Sequence, residues 1–358
     1  MNKTPTRYRD PATGFYCEDH SRFGMEGWLK RHLLDHIVGF IPASLHPNTI
    51  SIANHFVAWM AFLAAAAAPL MDPFNALMAR LLAAAAVFGC ICLDCLDGMH
   101  ARRTGQSSKL GEVLDHWLDA LNLGLYTAAV VLTLGVGPVT AAVGAVTAVM
   151  NYNAQLVYYH HSGRFVHPGT SGIDALVAIV GLLAVLGVFF YYVPQSDPRV
   201  VLGVHGIAWC AILFINLSDL RFFWVRMKGC FTPHVKFVVL CGAVTAPLLL
   251  GRLDIPVYLL VLGFVTFRIC GSYVLNTVLR RPYGGADWSI VLWSWAIIGA
   301  DAILAPYAVR GYPVMRLIPY LFMLYLALLN CLDLIRALGA LRAAQSGESL
   351  EERDRLRV

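Results

Sequence analysis

The chain alternates long apolar runs with short polar joints. A membrane-spanning helix needs roughly 20 mostly apolar residues. Ten such runs can be marked, at about 48–70, 75–97, 111–134, 138–158, 174–193, 199–219, 235–251, 256–279, 287–307 and 315–336. Ahead of the first, GWLKRHLLDHIVGFI (27–41) mixes charged and apolar residues at helical spacing. That pattern predicts an amphipathic helix lying in the membrane interface, with a linker helix packed on the protein itself as the alternative. The pattern as a whole predicts an all-α, polytopic membrane helix bundle. A cytosolic N-terminal segment (1–47) would lead into a single transmembrane domain (48–337), followed by a polar cytosolic tail (338–358).

Composition agrees with the pattern. Of 358 residues, 58% are hydrophobic and 14% charged, against roughly 25% charged in soluble domains, and the mean hydropathy is +0.63. The net charge of +5 comes from basic residues in the joints, which fits a membrane surface and no nucleic-acid partner. With the N-terminus inside, the inner joints hold Arg102, Arg103, Lys109, Arg164, Arg221, Arg226, Lys228, Lys236, Arg280 and Arg281, and the outer ones only Arg199, Arg252, Arg310 and Arg316. The positive-inside rule therefore puts both ends in the cytosol. Residues 1–24 lack an apolar core, so no cleavable signal peptide is expected. Most of the nine cysteines fall in or beside apolar runs, where they act as free, small apolar groups rather than a disulfide framework.

One stretch breaks the apolar pattern: DCLDGMHARRTGQSSKLGEVLDHWLDA, residues 94–120. Asp94, Asp97, Glu112, Asp115 and Asp119, with His116 among them, fall at the cytosolic ends of the second and third runs. Ionisable groups there are costly and usually functional. Left bare, the carboxylates would repel one another, so something positive must sit among them. At 100° per residue, Asp94 and Asp97 share one helix face, and Asp115 and Asp119 share another. Four converging carboxylates suit a hard divalent cation, Mg2+ or Mn2+, and carry enough charge for two ions of the kind that cleave phosphoanhydrides. Gly98 and Ala101 lie within about 100° of arc of Asp94 and Asp97 and leave room for a ligand. Gly111 opens the next helix, and Arg102, Arg103 and Lys109 supply cations for phosphate oxygens. Glu112 and His116, four residues apart, can pair along the helix. His116 is then either a general base or a partner that orients an aspartate.

The motif reads Asp94-x2-Asp97-Gly98-x2-Ala101-Arg102-x8-Gly111-x3-Asp115-x3-Asp119. It resembles the defining motif of the CDP-alcohol phosphotransferases without departure. The resemblance implies an intramembrane site on the cytosolic side, two divalent ions on the four aspartates, and transfer of a phospho-alcohol from a CDP-linked donor to a hydroxyl with release of CMP. ARRT (101–104), followed by Ser108, Leu110, Gly111, Glu112, Asp115, His116 and Asp119, is similar to the choline/ethanolamine phosphotransferase branch. That branch implies His116 as base, supported by Glu112, and CDP-ethanolamine or CDP-choline as donor. The acceptor would be a lipid alcohol: diacylglycerol, or a ceramide or ether lipid. A homodimer is consistent with the family. LHPNTIS (45–51) resembles a segment of the branch and makes Asn48 a candidate nucleotide contact.

Met99-His100 departs from the usual residues of the branch. AQLVYYHHSGRF (154–165) matches its acceptor-side segment only loosely. The resemblance leaves Asp119 open as an alternative base. It also leaves open a CDP-diacylglycerol-dependent transfer to inositol, serine or glycerol phosphate. A divalent-cation transporter is a more distant reading, without the midplane site and inverted repeats that transporters favour. The implied membrane is the endoplasmic reticulum or Golgi in a eukaryote and the inner membrane in a bacterium. Arg268, Asp301 and Asp333 are read as packed structural charges. Tyr152, Tyr158, Tyr159 and Trp209 are a candidate aromatic pocket, read first as core or interface belt.

Overall fold

The computed structural model describes residues 6–10, 13–19, 25–167, 172–193, 199–210, 230–282, 288–304 and 317–346. The expected helix bundle is present. The helices are α1 (Met25–Leu29), α2 (Asp35–Phe40), α3 (Pro47–Ala67), α4 (Pro73–Thr104), α5 (Lys109–Leu134), α6 (Pro138–Ser162), α7 (Gly172–Tyr192), α8 (Arg199–Cys210), α9 (Phe231–Leu249), α10 (Ile255–Val278), α11 (Ser289–Leu304) and α12 (Leu317–Ser346). Among the described residues, six stretches are long and apolar enough to cross a membrane: Pro47–Leu70, Pro73–Thr104, Lys109–Leu134, Phe231–Leu249, Ile255–Val278 and Ile318–Leu341. Each predicted run has its helix, although residues 211–219 of the sixth lie outside the described residues.

Local chemistry sets the helix ends. Pro73 opens α4 behind Asp72, whose carboxylate accepts from the Phe74 and Asn75 amides. The helix does not stop at residue 97, where the apolar run ends. Its polar last turns are still helix-competent, and it closes at Gly105, which takes the left-handed φ of 67° that favours glycine. Ser108 caps α5 by accepting from the Gly111 amide at 3.0 Å. The segment from 25 to 40 is helical throughout, with a π segment at Lys30–Leu34 between α1 and α2. Leu29, Leu34 and Val38 are buried against the protein, whereas Trp28, Leu33, Ile37 and Phe40 face outward. It packs on the bundle and also presents the apolar face expected of an interfacial helix.

Helix α3 packs along both α4 and α5, while α4 and α5 touch each other far less. The two motif helices are therefore braced by a third and leave space between them. On its other side α5 packs on α10 at glycines. A Cβ on Gly124 would lie 2.9 Å from the Gly263 Cα, and one on Gly271 would run into the Trp117 ring. Large apolar side chains such as Phe56, Leu82, Leu292 and Leu328 face outward, as in a protein solvated by lipid.

Among the described residues, three short strands complete the fold. β1 (Thr6–Arg9) pairs antiparallel with β2 (Tyr16–Asp19), and β2 pairs parallel with β3 (Phe165–His167), Cys17 opposite Phe165. The sequence reading had no strand here. Arg268 on α10 forms an ion pair with Asp333 on α12, as expected of packed structural charges. The side chain of Asp301 lies outside the described residues. The described cysteines are free thiols.

Candidate active site

The acidic stretch folds back on itself between α4 and α5. Carboxylate oxygens of Asp94, Asp115 and Asp119 all lie within 4.8 Å of one another. Asp97 stands beside this group, 5% exposed, and accepts a 2.6 Å hydrogen bond from Ser51 Oγ on α3. The donor set is oxygen alone and anionic, which fits a hard divalent cation better than zinc. Charged carboxylates this close repel one another, and a cation between them would relieve that repulsion.

Two adjoining cavities of about 380 and 290 Å3 share Asp97, Gly98, Arg102, Asp115 and His116. Asp94 and Asp119 line the smaller one. Asn48, Ala101, Gly111 and Glu112 line the larger. Eleven of the residues singled out in the sequence thus line one or the other of these adjoining cavities, whereas Arg103 and Lys109 line neither. The glycines act by what they lack. A Cβ on Gly111 would lie 3.2 Å from Asn48 Oδ1, and one on Gly98 would lie 3.2 Å from Arg102 Nη1. Gly111 admits the Asn48 amide, and Gly98 lets the Arg102 side chain fold back over α4.

His116 is 8% exposed. Its ring stacks on Phe165 at 4.8 Å and 12°, and meets Phe15 at 5.3 Å and Tyr159 at 6.2 Å. Glu112, expected to pair with His116 along the helix, accepts a short hydrogen bond from the Tyr159 hydroxyl. Tyr152 Oη donates to the backbone carbonyl of His116 at 2.7 Å. Of the four aromatics read as a candidate pocket, Tyr152 and Tyr159 reach the site, whereas Trp209 is on α8, 37% exposed.

Arg103, read as a phosphate cation, is instead engaged by backbone carbonyls of Gly39 (3.1 Å) and Ile41. His100 meets the Leu45 carbonyl at 2.8 Å. These contacts clamp the chain between α2 and α3 onto the end of α4.

Sequence reasoning missed the N-terminal side of the larger cavity. Tyr8, Asp10, Thr13, Phe15 and Cys17 line it, with Lys30 from the π segment. Tyr8 Oη donates to Asp10 Oδ2 at 2.9 Å, and the Arg102 guanidinium carbon lies 5.5 Å from the Tyr8 ring centroid. Burial first, then Asp10, raise the Tyr8 phenol above its ordinary pKa while Arg102 opposes them, so it remains a donor. A signal was present: two short runs, TRYR and FYCED, flank DPATG, a turn composition between strand-competent residues.

Residues 44–216 match the sequence model of the CDP-alcohol phosphatidyltransferase family. That span holds every motif position. That stretch, a little under half of the chain, is similar to the CDP-alcohol phosphatidyltransferase family. Curated relatives share parts of it. Cholinephosphotransferase 1 of Saccharomyces cerevisiae is 50% identical over 44 residues, 12% of this chain and 11% of the relative. An uncharacterised class-I member of the family from Schizosaccharomyces pombe is 30% identical over 103 residues, 26% of this chain and 25% of its own length. Class-I family protein 2 of Dictyostelium discoideum is 30% identical over 109 residues, 30% and 27% of the two chains. The similarity thus spans about a quarter or less of the relatives' length.

Proposed function

We propose that this protein moves phosphoethanolamine or phosphocholine from CDP-ethanolamine or CDP-choline to a lipid hydroxyl, releasing CMP. Diacylglycerol is the preferred acceptor, and a ceramide or ether lipid would use the same chemistry. The observation that carries the reading is the carboxylate group Asp94, Asp115 and Asp119 opening, beside Asp97, onto a cavity that also holds His116. Asp94, Asp97, Asp115 and Asp119 would hold Mg2+ or Mn2+, two ions for four carboxylates. When bound, the ions neutralise charge on the diphosphate and on the departing CMP.

The other roles belong to the chain. His116 takes the proton of the lipid hydroxyl. The acceptor oxygen forms a bond to the β-phosphorus as the bond from that phosphorus to the bridging oxygen breaks. CMP leaves with the bridging oxygen and the electron pair. Glu112, fixed by Tyr159, lies one turn before His116 and favours the imidazolium that results. Phe15 and Phe165 cover the imidazole and keep water from competing with the lipid hydroxyl. Arg102 and Lys30, on the cavity wall, offer N–H donors to phosphate oxygens. Asn48 and Gly111 border the nucleotide side. Asp119 fits the metal better than the role of base, because it belongs to the tight carboxylate group.

The test is CMP release by the purified full chain in detergent with Mg2+. One arm offers CDP-choline or CDP-ethanolamine with diacylglycerol. The other offers CDP-diacylglycerol with inositol, serine or glycerol phosphate. Release in the first arm, lost in His116→Ala and Asp97→Asn, is expected. Release confined to the second arm would overturn the donor assignment.

A further inference from the structure

The N-terminal hairpin enters the mechanism above only through Phe15, yet it forms one wall of the larger cavity. Its attachment is specific. β2 pairs in parallel with β3, a strand 146 residues later in the chain, with Cys17 opposite Phe165, and Phe165 is the ring stacked on His116. The hairpin is thus tied to the wall that carries the candidate base. Its turn is organised by Asp10, 7% exposed, which accepts from the Thr13 amide at 3.0 Å and from Tyr8 Oη at 2.9 Å. That second bond anchors the far end of the Tyr8 side chain.

We propose that Tyr8 is a positioning residue for the donor: its ring holds the Arg102 guanidinium over the cavity, where it receives the phosphate oxygens of a nucleoside diphosphate. The inference rests on the function proposed above. Its geometric basis is the 5.5 Å separation of the Arg102 guanidinium carbon from the Tyr8 ring centroid. Gly98 contributes from below, since any larger residue would press on Arg102 Nη1. Ring above and glycine below confine a side chain that otherwise has many rotamers, so less freedom is lost when the donor arrives. A ring face also holds a guanidinium without consuming its in-plane N–H donors. Those donors stay available for a bidentate grip on phosphate. The hairpin therefore completes the donor site from a segment far in sequence from the motif.

The test is a double-mutant cycle on the full chain, read as donor KM, acceptor KM and kcat for CMP release, with Tm recorded for each variant. Tyr8→Ala is expected to raise donor KM about two- to fivefold, the worth of a cation–π contact. Acceptor KM and kcat should change less than donor KM. Tyr8→Phe keeps the ring and should restore most of the donor KM. In an Arg102→Ala background, Tyr8→Ala should add nothing further to donor KM. An unchanged donor KM in Tyr8→Ala, or a penalty that persists without Arg102, overturns the inference while the proposed function stands. A wild-type protein that releases no CMP from any CDP-alcohol overturns both.

Discussion

At the residue scale, the partners held by the carboxylates and the histidine determine what each substitution should do. His116→Ala removes the candidate base from an otherwise intact cavity, and kcat should fall about 10²- to 10⁴-fold with donor KM little changed. Ser51 is a quieter case. Its hydroxyl donates to Asp97 and so orients a carboxylate at the edge of the candidate metal group. Ser51→Ala should raise the Mg2+ concentration for half-maximal activity roughly 10- to 100-fold, as loss of an orienting partner commonly does. A Mg2+ titration of CMP release checks this, and an unchanged midpoint would show that Asp97 needs no help from α3. The spacing of Asp94, Asp97, Asp115 and Asp119 was legible in the sequence because helical geometry alone decides which positions share a face. Ser51 and Tyr159 were not, because each reaches the site from another helix and no local periodicity records that contact.

At the element scale, each apolar run has a helix among the described residues, but only six of the ten runs coincide with helices long and apolar enough to cross a membrane, and the polar ends also differed. The end of α4 lies past residue 97 because Gly98–Thr104 continues the helix until Gly105. The N-terminal hairpin was the larger miss. Its strands are four residues each, too short for a clear alternation, and its pairing with β3 is non-local. Packing of α5 on α10 yields a prediction of its own. Gly271 faces the Trp117 ring so closely that a methyl group has no room, and Trp117 follows His116 in the chain. Gly271→Ala should destabilise the protein by about 1–3 kcal/mol through overpacking, seen as a lower Tm in detergent. Trp117→Leu in the same chain should recover part of that loss, since it opens the space the methyl group needs. A Tm unmoved by Gly271→Ala would mean that the two helices can slide apart at no cost.

At the scale of the whole molecule, the distribution of cations predicts an orientation that can be measured. The site lies where α4 ends and α5 begins, beside Arg102, Arg103 and Lys109. Helix α6 returns to that end, because Tyr159 near its C-terminus reaches Glu112, and Arg164 follows. Helix α10 ends there too: Thr277 meets His160 at 2.9 Å, and Arg280 and Arg281 come next. Arg252, before α10 begins, is then at the opposite end, since α10 is among the helices long enough to span the bilayer. The end with the site carries the larger share of basic residues, and short joints rich in Lys and Arg stay on the cytosolic side. Arg281→Cys should therefore react with a membrane-impermeant thiol reagent only from the cytosolic face of sealed vesicles, and Arg252→Cys only from the other. The parent protein labelled in parallel gives the contribution of the native thiols. A reversed pattern would place the site on the outer face, away from cytosolic CDP-alcohols, and the proposed donor would have to be abandoned.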